Sequence, residues 1–200
     1  MALRPDDDGS TDATLRAFVA VALDDPARVA LAEIIASLRR GPGGGDVRWV
    51  RPENLHVTLC FLGNAAPARL AELATGLRAA AAGLHPFALR LGAVALFPSP
   101  RRPRVVSCEV GPVAPLAQLA RTVHAAASRC GFALEERAFR PHLTLGRVRQ
   151  RKRISVTASV TPPPHAVPVD EIVLYRSRLG PTGAQYTPLE RIALGGTNHP

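Results

Sequence analysis

Two hydropathic periods alternate along the chain. LRAFVAVAL at 15–23 is an almost unbroken apolar run of strand length. Asp25-Pro26 then supplies an N-cap and a first-turn proline, and Leu31, Ile34, Ile35 and Leu38 recur at the spacing of one helical face. GPGGG at 41–45 ends that helix and reads as a linker. WVRPENLHVTLCFLG at 49–63 predicts a strand, and 67–82 a second helix with Leu70, Leu73, Leu77 and Leu84 aligned. FALRLGAVALF (87–97) and RVVSCEV (104–110) predict strands joined by a loop rich in proline and arginine. A third helix is expected over 115–129, aligning Leu116, Leu119, Val123 and Cys130, with Gly131 closing it. AFRPHLTLGRV (138–148) returns to the strand pattern, and 154–160, 169–176 and 185–194 are strand-like between proline- and glycine-rich turns.

This order is neither a βαβ repeat nor a pure sandwich, so an α+β fold is expected. One domain is expected over 15–194, between polar tails at 1–14 and 195–200. With 46% hydrophobic and 20% charged residues, the composition is that of a globular protein and excludes a disordered one. The opening MALRPDDDGST has three consecutive aspartates and no apolar stretch, and no run approaches the roughly 20 residues of a membrane span. A cytoplasmic protein is therefore expected. Cys60, Cys108 and Cys130 share no metal-ligand spacing and read as small buried groups of a reducing compartment.

The formal charge is +9 and nearly all the cations are arginine, a balance compatible with phosphate-rich partners. The densest run is Arg147, Arg149, Arg151, Lys152 and Arg153. It begins five residues after the second of two near-identical tetrapeptides, HVTL at 56–59 and HLTL at 142–145. Each follows an Arg-Pro pair, Arg51-Pro52 or Arg140-Pro141, which hints at internal symmetry.

Strand alternation sends His56 and Thr58 to one face and Val57 and Leu59 to the other, and it does the same for His142 and Thr144 against Leu143 and Leu145. Two such strands brought together present two imidazoles and two hydroxyls. One imidazole can take a proton from water while the other gives one to a leaving oxygen, and the hydroxyls can hold phosphate oxygens. Cleavage of a phosphodiester needs these acts. Arg147 lies at an odd offset from His142, so a flat strand points it away from that face; a bulge at Gly146 is required to bring it back. Alternation puts Cys60 on the histidine face, where it is expected to be a small residue near a lobe boundary. His85, His124, His165 and His199 share no context and are expected to be structural or exposed. Neither motif carries the further ligands of a metal site, and neither GxSxG nor GxxxxGK[ST] occurs.

The chain resembles the 2H phosphoesterases, and within them the RNA 2′,3′-cyclic phosphodiesterases once called 2′-5′ RNA ligases. RAFVAVAL (16–23), WVRPENLHVTLCFLG (49–63), FRPHLTLGRV (139–148) and EIVLYRSRLGPTGAQYTPL (171–189) carry the resemblance, in the family's order. It implies a bilobal fold of two antiparallel sheets with flanking helices, related by a pseudo-twofold around a central groove. It implies that His56 donates a proton to the departing ribose 3′-oxygen and that His142 accepts one from the attacking water. The product is then a 2′-phosphomonoester, formed with no metal and no cofactor. Thr58, Thr144 and Arg147 match the phosphate-binding positions. The implied partner is RNA or an oligonucleotide with a 2′,3′-cyclic phosphate end, met by a monomer. The alternatives are 2′-5′ ligation or phosphodiester cleavage on tRNA halves or oligonucleotides, and an RNA-end-binding module without turnover. The extra N-terminal tail and the Arg-rich 101–104 loop are where substrate preference is expected to differ. With aromatics at 4%, base-stacking candidates are few, and Phe18, Phe61 and Tyr175 are expected to pack mainly in the core.

Overall fold

The computed structural model describes residues 14–99, 101–134, 138–149, 160–181 and 183–195. The expectations for 1–13, 154–159 and 196–200, and for Arg151, Lys152 and Arg153, lie outside the described residues. The elements run β1 (Leu15–Ala22), α1 (Asp25–Arg40), β2 (Val47–Trp49), β3 (His56–Ala65), α2 (Pro67–Ala81), β4 (Phe87–Phe97), β5 (Val105–Gly111), α3 (Val113–Arg129), β6 (His142–Val148), β7 (Ala166–Val169), β8 (Glu171–Gly180) and β9 (Gly183–Ala193). This is a mixed α and β protein built on antiparallel strands, as the hydropathic pattern predicts.

Helix α1 forms where expected, but its cap is one residue earlier than Asp25. Asp24 has extended dihedrals and its side chain accepts a hydrogen bond from the Ala27 amide at 3.2 Å. Asp25 is already helical and sits in the first turn, where its charge suits the helix dipole and pairs with Arg28 at 3.1 Å. The predicted stripe of Leu31, Ile34, Ile35 and Leu38 is buried. GPGGG is more than a linker, because Gly44 packs under the helix end: a Cβ there would stand 2.3 Å from the Leu38 carbonyl oxygen. The long strand expected over 49–63 divides into β2, a 3-10 turn at Pro52–Asn54, and β3. Pro52 explains the break, since it has no amide to give to a ladder.

The strands follow the order β7-β4-β5-β6-β3-β1-β8-β9, with β2 added on β6. Two separate sheets were expected; the hydrogen-bonded path is continuous instead. The two motif strands join its halves, and they do so at a single register pair, Val57 with Leu143. Val57, Leu59, Leu143 and Leu145 are all buried in one apolar core that extends from Ala17 to Leu194. A fully buried leucine contributes about 1.5–3 kcal/mol relative to an exposed one, so these four pin the faces of both strands. Helix α2 contacts α3 and β9, and α3 also contacts β3, whose aliphatic residues face the core.

Candidate active site

The first motif strand is irregular at one place that decides its chemistry. In the β1–β3 ladder Ala22 faces His56 and Ala20 faces Thr58, but Val19 faces Cys60 and Phe18 faces Phe61. Leu59 is therefore an extra residue, a bulge that inverts the alternation after it. Cys60 joins Leu59 in the core, 3% exposed, so the expectation that it lies on the histidine face is wrong. Burial pushes its thiol up to about 12, which keeps it protonated and unreactive. Phe61 emerges on the histidine face instead, 61% exposed.

The second motif strand carries the same device. Glu109 faces His142 and Ser107 faces Thr144, then Val106 faces Gly146 and Val105 faces Arg147. Leu145 is the extra residue, and Arg147 returns to the histidine face, exposed. The bulge that the odd offset demanded is present, with Leu145 rather than Gly146 as its extra residue. Gly146 is required there for a second reason, because a Cβ would stand 2.4 Å from Val47 Cγ1 and 3.0 Å from Trp49 Cε3.

Both imidazoles are held the same way. His56 Nδ1 lies 2.7 Å from the Asn54 carbonyl oxygen, and His142 Nδ1 lies 2.9 Å from that of Arg140. A carbonyl only accepts, so each Nδ1 carries the hydrogen and Nε2 is left for proton transfer. Neither carbonyl has a signature in the sequence, since any residue supplies one. Thr58 Oγ1 sits 3.0 Å from His56 Nε2.

The surroundings of the two rings differ. His56 stands among Phe18, Tyr175 and Tyr186, with ring centroids at 4.9, 6.4 and 5.3 Å. Phe18 is buried and stacks on Tyr175 at 5.2 Å. The expectation that Phe18, Phe61 and Tyr175 pack mainly in the core holds for the buried Phe18 and fails for the exposed Phe61, while Phe18 and the half-buried Tyr175 also contact the histidine ring. Burial holds the His56 imidazole below the usual histidine range. The hydrogen bond to Asn54 opposes that shift, while His142 and Arg147 reinforce it, which places both groups within electrostatic reach of His56. Among the other histidines, His124 bonds the Leu59 carbonyl oxygen at 3.2 Å and His165 meets the Asp24 carboxylate at 2.7 Å, the structural roles expected of them.

His56, Thr58, His142, Thr144 and Arg147 thus share one face. The sequence reading missed Tyr186, Glu109 and Arg48, which strand pairing brings to this face, and Asn54, whose backbone carbonyl meets His56 from the turn before β3. A cavity of about 230 Å³ lined by His85, Pro86, Phe87 and Leu119 contains none of these residues. Among the described residues no group of three or more His, Cys, Asp or Glu side chains is placed to hold a metal ion. No helix among them is long and apolar enough to cross a membrane.

Two imidazoles, the hydroxyls beside them and an arginine on the same face are the groups that acid–base cleavage of an anionic ester calls for. The chain belongs to the 2′-5′ RNA ligase superfamily, whose family model matches residues 25–181. It is 33% identical over 181 residues to the RNA 2′,3′-cyclic phosphodiesterase of Methanothermobacter thermautotrophicus, covering 88% of this chain and 97% of that one. It is 33% identical over 175 residues to the protein of the same name from Thermotoga maritima, covering 86% and 91%. Among solved structures it is similar to E. coli LigT complexed with 3′-AMP, with a TM-score of 0.76 and 29% identity over 92% of this chain and 99% of that one. A second solved structure, from Thermus thermophilus, gives a TM-score of 0.73 at 30% identity, over 92% and 100%.

Proposed function

We propose that this protein hydrolyses RNA 2′,3′-cyclic phosphodiester ends to 2′-phosphomonoesters, by two histidines and without metal. Water attacks phosphorus as His142 Nε2 removes its proton. The bond to the ribose 3′-oxygen breaks, and His56 Nε2 supplies the proton that oxygen needs. Thr58, Thr144 and Arg147 hold the non-bridging oxygens as charge moves. The observation that carries the reading is the shared bulge, by which both motif strands turn a histidine, a threonine and the residue five positions on towards one face. The name carried by the relatives supports the substrate.

A pseudo-twofold between β3 and β6 fits the strand order, since it exchanges β1 with β5, β8 with β4 and β9 with β7. The site then lies in a groove between two lobes of one domain spanning 15–194. Burial disfavours the charged form of His56, whereas a proton donor must be charged. An anionic phosphate between His56 and Arg147 supplies the missing stabilisation, raising the His56 pKa when substrate binds. Ligation is the same opening with a 5′-hydroxyl in place of water, in which the two histidines keep their roles; cleavage of the 2′-5′ linkage is its reverse and exchanges them.

The primary test is incubation with 2′,3′-cyclic nucleotides and short cyclic-ended RNA in EDTA. Product is expected, and its absence across the panel would refute the reading. The division of labour has its own test, a phosphodiester with a nitrophenolate leaving group, which departs without a proton. His56→Ala should retain activity on it while His142→Ala should not; equal losses would break the assignment.

A further inference from the structure

The short strand β2 places a second arginine beside Arg147. In the β2–β6 ladder Val47 faces Val148, Arg48 faces Arg147 and Trp49 faces Gly146. Val47 is buried and Trp49 packs against the core, so Arg48 takes the opposite face, the one Arg147 occupies. Both arginines are exposed. Like charges directly opposite on neighbouring strands destabilise a sheet, so the pair is a cost to the fold in the absence of an anion. Arg149 follows Arg147 at the strand period and is exposed too, extending the cationic row.

Arg48 also reaches towards the other half of the molecule. A Cβ on Gly183 would stand 3.4 Å from its guanidinium nitrogen, so the β8–β9 turn lies against it. That hairpin is tied back towards the histidine by Asn54, whose amide nitrogen donates to the Ala184 carbonyl oxygen at 2.7 Å while its own carbonyl accepts from His56 Nδ1. Arg147 is near enough to His56 to act on its charge state, whereas Arg48 lies on β2, which shares an edge of β6 with β3 but pairs further along it, away from the Val57–Leu143 pair. The cationic row therefore begins at the histidines and runs outwards past the hairpin turn.

We infer that Arg48, with Arg147, forms a second phosphate subsite that binds the phosphodiester one nucleotide upstream of the cyclic end, so that oligonucleotide ends are preferred over mononucleotides. This rests on the proposed function for the identity of the first phosphate. A guanidinium fork holds a phosphodiester by two parallel charge-assisted hydrogen bonds, and its counterion release makes that contact salt-dependent.

The test measures binding without turnover. The probes are a dinucleotide with a 3′-terminal phosphate and the matching nucleoside 3′-monophosphate, titrated calorimetrically at several salt concentrations. The wild type is expected to bind the dinucleotide about tenfold more tightly, and Arg48→Gln to shrink that gap to about twofold and flatten its salt dependence by about one ion. Arg178→Gln, which removes the same charge from an exposed site on the other face of β8, should keep the gap. The inference is overturned if the wild type shows no gap, or if Arg48→Gln leaves the gap intact. Turnover of a cyclic mononucleotide is measured in parallel. Turnover without a gap sinks this inference alone, and a gap without turnover sinks the hydrolase reading alone.

Discussion

The two motif strands are the same device in opposite surroundings. On β3 and on β6 a histidine is fixed through Nδ1 by a carbonyl two residues back, a threonine follows on the same face, and a bulged leucine turns the fifth residue after the histidine inwards. On β3 that fifth residue is Phe61 and the ring is half-buried among aromatics; on β6 it is Arg147 and the ring is exposed beside Glu109. A repeated backbone arrangement has thus been given one apolar half, suited to a ribose and base, and one charged half, suited to phosphate. The acid and base roles proposed for the two rings would thus be played in different surroundings, the apolar ones disfavouring the charged ring until an anion binds.

The comparison is broken most severely by removing either ring. His56→Ala and His142→Ala should each lower kcat on a 2′,3′-cyclic phosphate by roughly 100-fold or more, with small changes in binding. The double variant should lose little beyond the worse single one, because the two groups act as a unit in one step. Multiplicative losses in steady-state assays would mean that the rings work independently, contrary to the paired reading. The wild-type pH–rate profile should be bell-shaped, with two limbs that belong to the coupled pair.

The fifth-position residues are next. Arg147→Gln should cost about 10–100-fold in kcat/KM, the worth of a charge-assisted contact to phosphate. It should also raise the His56 pKa, since a cation that disfavours the imidazolium has been removed, and NMR titration of the ring reads this directly. Phe61→Ala should cost only about fivefold, mostly in KM, as expected for an exposed face against a base. If Phe61→Ala proved the more damaging, the apolar and charged halves would have been assigned the wrong way round.

The bulges themselves are tested by stability. Gly146 and Cys60 hold the same position in the two strands, yet only Gly146 is crowded by Val47 and Trp49. Gly146→Ala should destabilise by about 1–3 kcal/mol in urea unfolding, as overpacking does. Cys60→Ala should lose only about 1 kcal/mol, the cost of one heavy atom from a packed core.

These bulges also mark where sequence reasoning stopped. The hydropathic periods located α1, α2 and α3 and most strands, because burial of one face writes itself into the spacing of leucines and valines. The histidines and threonines were legible for the same reason, each two apart and flanked by aliphatics. At Gly146 a glycine at least signalled that a kink was allowed, but Leu59-Cys60 reads as continuous strand, so the inversion at Cys60 and the emergence of Phe61 were hidden. Arg48, Tyr186 and Asn54 were missed for another reason. Their place at the site comes from strand register and from a backbone carbonyl, neither of which a local pattern of residue types encodes.

The smallest effect concerns the charge state of His56 in the resting protein. Its folded pKa lies below the ordinary histidine value of 6.5, chiefly because burial disfavours the charged ring. The unfolded chain consequently binds more protons in that window, and stability rises with pH through it. The contribution is fully present above about 6.5 and is lost as pH falls through the folded pKa. Urea midpoints measured across mildly acidic pH should slope accordingly, and His56→Gln should flatten the slope. Inorganic phosphate should flatten it as well in the wild type, because an anion beside His56 raises the folded pKa towards the unfolded one. His142→Gln should leave this His56 contribution in place, apart from the small share that repulsion between the rings provides. A slope that survived His56→Gln would mean that another group titrates there, and burial of the His56 ring would no longer account for the pH dependence.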